Sequence, residues 1–99
     1  MAFFRNSVMI AGKGYNLKTS ATKTGKTAAS FSLLVVEKIK KDEDTKTFFW
    51  IKCYSGLADN VVKYWEEGKD FFIEGRIDSY KDKDGVDKYS IVASEIKFV

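Results

Sequence analysis

From Thr27 to Val36 the chain carries its longest apolar run, and the run alternates. Ala29, Phe31, Leu33 and Val35 share one parity, while Ala28, Ser30, Ser32, Leu34 and Val36 share the other. Side chains of a strand point alternately to opposite faces, so this period of two marks a strand with at least one face in a core. The same period returns from Thr47 to Tyr54, rich in β-branched and aromatic residues. A chain built on two such runs must form a sheet.

Three further strands follow from the same reasoning. Asn6 to Gly12 reads as a first strand with Val8 and Ile10 on one face, and a polar segment from Lys13 to Lys26 separates it from the second. Lys38 to Lys46 reads as a charged hairpin loop before the third. Phe71, Ile73 and Ile77 mark a fourth strand across Gly75, where a glycine points to a bulge or a close backbone approach. Lys81 to Gly85 is a turn with an Asp-Gly signal, and Lys88 to Val99 is the fifth strand. Between the third and fourth, the period changes: Leu57, Val61, Tyr64 and Trp65 fall on one helical stripe, with Ser55 as the expected cap and Gly68 as the left-handed close. The order βββαββ in 99 residues matches an all-β, five-stranded Greek-key barrel of the OB-fold type, with one short helix between strands three and four. The expected organisation is a single domain over residues 1–99.

Composition removes most chemistry. With no histidine and one cysteine, Cys53, neither a His-dependent triad nor a Cys/His zinc site can form, and Cys53 reads as a small buried hydrophobe. No stretch approaches the roughly 18 apolar residues that cross a bilayer, and Met1 to Arg5 lacks the pattern of a secretory leader. The expectation is a cytoplasmic protein with no membrane partner, no cofactor, no metal and no small-molecule substrate. Thr24-Gly25-Lys26-Thr27 imitates the end of a phosphate loop, but Ser20 stands where the pattern needs glycine and a strand follows where a helix is required. Asp82-Lys83-Asp84-Gly85 imitates a calcium loop, but Tyr80 and Ile91 would occupy its first and last ligand positions. Glu66 and Glu67 read as solvated surface rather than as an acid and base.

Charge is uneven. All 14 acids lie from Glu37 onward, while Arg5, Lys13, Lys18, Lys23 and Lys26 precede them. The N-terminal third is therefore a candidate polyanion surface, although lysines alone serve equally well to solvate loops. Strand three is more informative. Phe48, Trp50, Lys52 and Tyr54 share one face, and Phe49, Ile51 and Cys53 share the other. The aliphatic set makes the better interior, which turns three aromatics and a lysine outward, where bases can stack and a phosphate can be neutralised. A subunit interface or a covering loop is the competing use of that face. Arg76 and Tyr80 share parity on strand four, where Tyr80 either extends the outer face or decorates the hairpin, and Lys13 and Lys38 supply further cations. Trp65, on the helix stripe, is expected to plug the barrel bottom.

Several segments in order resemble the bacterial and phage single-stranded DNA-binding proteins, from about Asn6 to Val99. Gly25-x-x-Ala28-Ala29-x-Phe31-Ser32-Leu33-Leu34-Val35 is similar to that family's second strand, and Trp50 with Lys52 falls at its DNA-facing aromatic and basic positions. Leu57-Ala58-x-Asn60-Val61-x-x-Tyr64 with Gly68 resembles its helix, and Ile73-Glu74-Gly75-Arg76-Ile77, Tyr80-x-Asp82-Lys83-Asp84-Gly85 and Tyr89 resemble its last two strands. The resemblance implies that Trp50 and Tyr80 stack on bases, that Lys52 meets phosphate, and that subunits form a homotetramer, with a dimer as the other assembly. Exposed apolar positions such as Phe72 and Val92 suit such an assembly. The chain departs from the family at Ile39, where an aromatic is common, and it stops at Val99 without the acidic-tipped tail of bacterial members.

The function expected is sequence-independent binding and protection of single-stranded DNA in replication, recombination or repair, without catalysis, in a bacterial cell or in a phage's host. Two alternatives keep the fold: a dimeric primosome-type module that binds protein, and an oligosaccharide-binding domain whose affinity is nearly independent of salt.

Overall fold

Alternating side chains close this sheet on itself. The computed structural model describes residues 5–40 and 43–98. Its elements are β1 (Val8–Ala21), β2 (Thr27–Lys40), β3 (Glu43–Tyr54), α1 (Ser55–Lys63), β4 (Asp70–Lys81) and β5 (Asp87–Phe98). They form a closed barrel in the order β1-β2-β3-β5-β4, with β3 and β5 parallel and every other pair antiparallel. This is the OB-fold, with its helix between β3 and β4. Met1 to Phe4, Lys41 and Asp42 of the charged loop, Val99 and the side chains of Ile39, Lys40 and Glu43 lie outside the described residues.

Two segments expected to be loops are strand. β1 runs on through Lys13 to Ala21, pairing with β4 as far as Lys13 and with β2 from Lys13 onward. Its ladder shifts register between Tyr15 and Lys18, where Asn16 adopts φ 60°. Glu67, expected to be merely solvated, secures this bend. Its carboxylate oxygens accept the Asn16 backbone N–H at 3.0 and 3.2 Å, and Oε1 also accepts the Trp65 indole N–H at 3.3 Å. The charged loop is likewise a ribbon, because β2 and β3 stay paired to Lys38↔Asp44 and Lys40↔Glu43. Ladder hydrogen bonds formed with a neighbouring strand here override the weak strand propensity of Lys, Ser and Asn.

The helix begins differently from expectation. Tyr54 is its extended N-cap, and no side chain caps it; Ser55 is its first residue, at φ 58°. That left-handed turn swings the chain directly from β3 across the barrel bottom. Ala58 and Val61 are buried, and the helix ends at Lys63, so Gly68, at φ 77°, belongs to the turn that leads into β4. Trp65 lies just past the helix, half-buried, its ring stacked on Phe71 with 5.6 Å between centres and tilted against Phe31 at 5.3 Å. It closes the bottom as expected. Gly14 makes room for this packing: a Cβ there would sit 2.7 Å from the Phe71 ring and 3.0 Å from Trp65.

Inward parity holds around the barrel. Ala29, Phe31, Leu33, Ile51, Cys53, Phe71, Ile73, Ile91, Ala93 and Ile96 form one core with Ala58 and Val61. Gly75 lies where β5 carries an extra residue, Ser94, and a Cβ on Gly75 would meet the Val92 carbonyl oxygen at 2.2 Å. Both readings of that glycine therefore apply. Val92, expected to be exposed, is buried at 8%, and Phe72 is half-buried. Val92 pairs with Lys52 on one side and Arg76 on the other, whose aliphatic stems can cover it within one chain.

Cys53 is fully buried, and desolvation raises its thiol from 9.0 to about 11. A neutral thiol favoured by folding contributes stability that is present below pH 9.0 and lost as pH rises through about 11. Urea unfolding of Cys53→Ala is expected to show a shallower loss of stability across this alkaline window than the unmutated chain. A loss identical in both would assign the titration to other groups.

Candidate nucleic-acid interface

Register places residues of all five strands in rows across the sheet. Lys18 lies opposite Ser30, Ser30 opposite Lys52, Lys52 opposite Val92, and Val92 opposite Arg76. Neighbouring strands are about 4.8 Å apart, so Lys18 and Lys52 stand roughly 10 Å apart, as do Lys52 and Arg76. Trp50 shares the adjacent row with Ser32, and Tyr54 shares another with Ala28 and Ser20.

Where β1 bends over β2, these rows become a groove of about 570 Å³. One wall is the hairpin side, with Lys18, Ser20, Thr22 and Ser30; the other is aromatic, with Trp50, Tyr54 and Tyr80 around Lys52. Tyr80 arrives from the β4–β5 ribbon, and the Lys52 ammonium lies 4.4 Å from the centre of its ring. This cation–π contact, worth about 0.5–1 kcal/mol at an exposed site, ties the ribbon to β3. Among the described residues, no carboxylate lines the groove. Two ammonium groups, three aromatic rings and the hydroxyls of Thr19, Ser20, Thr22 and Ser30 can neutralise phosphate, stack on bases and donate hydrogen bonds to a backbone.

Of the residues expected to bind DNA, Trp50, Lys52, Tyr54 and Tyr80 meet in this groove. Phe48, 64% exposed, stands on the same face of β3 but lines a separate cleft beyond Trp50. Arg76 is exposed at the end of the Lys52 row, outside the groove lining. Lys13 lies in the row of Leu34 and Phe48, and its ammonium pairs with the Asp70 carboxylate at 3.0 Å. Lys38 is exposed on the β2–β3 ribbon opposite Asp44. Lys18, Ser20, Thr22 and Ser30 were not anticipated individually. The basic, hydroxyl-rich composition of Lys13 to Lys26 is the signal that pointed to the segment of the first three, and Ser30 follows from the parity of strand two.

No group of metal-ligating side chains occurs among the described residues, and no described helix is long and apolar enough to cross a membrane. A search of curated proteins finds no match to the sequence. The model of the single-strand binding protein family matches residues 5–99. A barrel of the right topology, a groove of aromatics and cations on its outer face, and a family match over nearly the whole chain agree, and the chain belongs to the single-strand binding protein family.

Proposed function

We propose that this protein binds single-stranded DNA without sequence preference, holding it unpaired and protected during replication, recombination or repair in the cytoplasm. The observation that carries the reading is the groove of Trp50, Tyr54 and Tyr80 with Lys18 and Lys52 and, among the described residues, no acid in its lining. In a chain whose net charge is only +3, a carboxylate-free groove is local, not a consequence of overall charge. Aromatic faces replace base–base stacking, and ammonium groups replace counterions. The mechanism requires no bond to be made or broken. Homo-oligomerisation, as a tetramer or a dimer, would present several grooves to one strand and raise avidity. Met9, exposed on β1, and Phe72, half-buried across from Ala11, are the apolar positions that suit it.

The test is a pair of salt titrations with dT oligonucleotides. For single strands, log K falls with log salt at about −0.7 per phosphate neutralised. Lys52→Ala is expected to make the slope shallower by about one phosphate's worth without creating a base preference. Affinity that ignores salt would overturn the reading in favour of a sugar or protein ligand.

A further inference from the structure

Parallel pairing of β3 and β5 is confined to Ile51↔Ile91 and Lys52↔Val92. Beyond it the two strands run into different ribbons, and an apolar cleft of about 390 Å³ opens between them. Phe48 and Trp50 form one wall, and Ile77 and Tyr89 the other, with Val8 at the end. The cleft leaves Phe48 64%, Tyr89 66% and Ile77 49% exposed. The Ile77 wall is held in place by Asn6, whose side chain donates to the Ile77 carbonyl at 2.6 Å and accepts its backbone N–H at 2.9 Å. Among the described residues, no charged side chain lines the cleft.

Trp50 belongs to both cavities, so the cleft continues the cationic groove on the far side of one indole. We propose that this cleft is a second base-binding site, in which the strand that fills the groove crosses Trp50 and seats a base between Phe48 and Tyr89. This extension rests on the DNA-binding reading above. The chemistry divides as a nucleotide does. An uncharged aromatic cleft recognises the flat base and offers nothing to a phosphate, which stays outside near Lys46, exposed on the same face of β3 two residues before Phe48. Tyr89, which sequence reading placed only within strand five, becomes a binding residue.

The experiment compares the unmutated chain, Tyr89→Ala and Tyr89→Phe on dT oligonucleotides of increasing length, with light scattering of each protein alone. Tyr89→Ala is expected to lose about tenfold in affinity, within the roughly 5- to 150-fold worth of one stacked base, once the oligonucleotide is long enough to cross Trp50. Its salt slope is expected to stay unchanged, because a base contact releases no ion. Restoring the ring in Tyr89→Phe should recover most of the loss. If the unmutated chain binds dT and Tyr89→Ala binds equally well at every length, the cleft proposal fails alone. An equal loss at all lengths, or a smaller particle without DNA, would also overturn it, the latter by assigning the cleft to contact between copies. If the unmutated chain binds no dT oligonucleotide, the DNA-binding reading itself fails.

Discussion

Phe71→Ala is expected to lower the unfolding free energy by about 3–5 kcal/mol, the range for removing a large aromatic from a packed core. Phe71 is fully buried, and its ring centre lies 5.5 Å from Phe31, 5.6 Å from Trp65 and 5.4 Å from Phe98. Three neighbouring rings cannot easily collapse into the space it leaves. Backbone offers no relief either, since Gly14 already lets the ring approach as closely as a chain can. A small domain holds only about 5–15 kcal/mol in total, so this one change removes a large share of it. Urea unfolding should show a lower midpoint at an unchanged slope. The groove is lined by none of these rings, so the fraction that remains folded should bind DNA with unaltered affinity. A loss below about 1 kcal/mol would mean that Trp65 refills the space, and that the barrel bottom is looser than its packing indicates.

Period-two alternation made the barrel legible because burial on one face is a local property of each strand. Phe49, Ile51 and Cys53 point inward and Trp50, Lys52 and Tyr54 outward, as parity alone requires. Parity fails where burial depends on distant partners. Val92 alternates like an exposed residue, yet Lys52 and Arg76 flank it from two other strands. The second half of β1 carries little apolar patterning because its strand character comes from pairing with β2 and from the grip of Glu67 on Asn16. That segment brings Lys18 and Ser20 to the groove, so its charge marked it as a candidate polyanion surface while its place beside strand three was hidden from a reading that took it for a polar connection. Ser55 is a further case. Serine before a helix suggests a cap, but here the turn off β3 needs a left-handed residue, and the hydroxyl caps nothing.

Trp50 is the residue on which both cavities converge, and Trp50→Ala is expected to weaken single-stranded DNA binding by about 1–3 kcal/mol, roughly 5- to 150-fold. The estimate rests on one stacked base; if the strand also crosses the indole to reach the cleft beyond, the loss should fall toward the upper end. Fluorescence separates this residue from the other tryptophan. Trp50 is half-buried and faces the groove, whereas Trp65 is packed among Phe31 and Phe71 and lines neither cavity. DNA should therefore quench the Trp50 emission and leave Trp65 nearly untouched. Trp50→Phe should abolish most of the quench while losing less affinity than Trp50→Ala, because a phenyl ring still offers a stacking face. Trp65→Phe should keep the quench and cost stability instead. Were the quench to vanish with Trp65→Phe and survive Trp50→Phe, the strand would have to lie against the barrel bottom. The outer face of β3, with its row of Lys18, Ser30 and Lys52, would then serve some other partner.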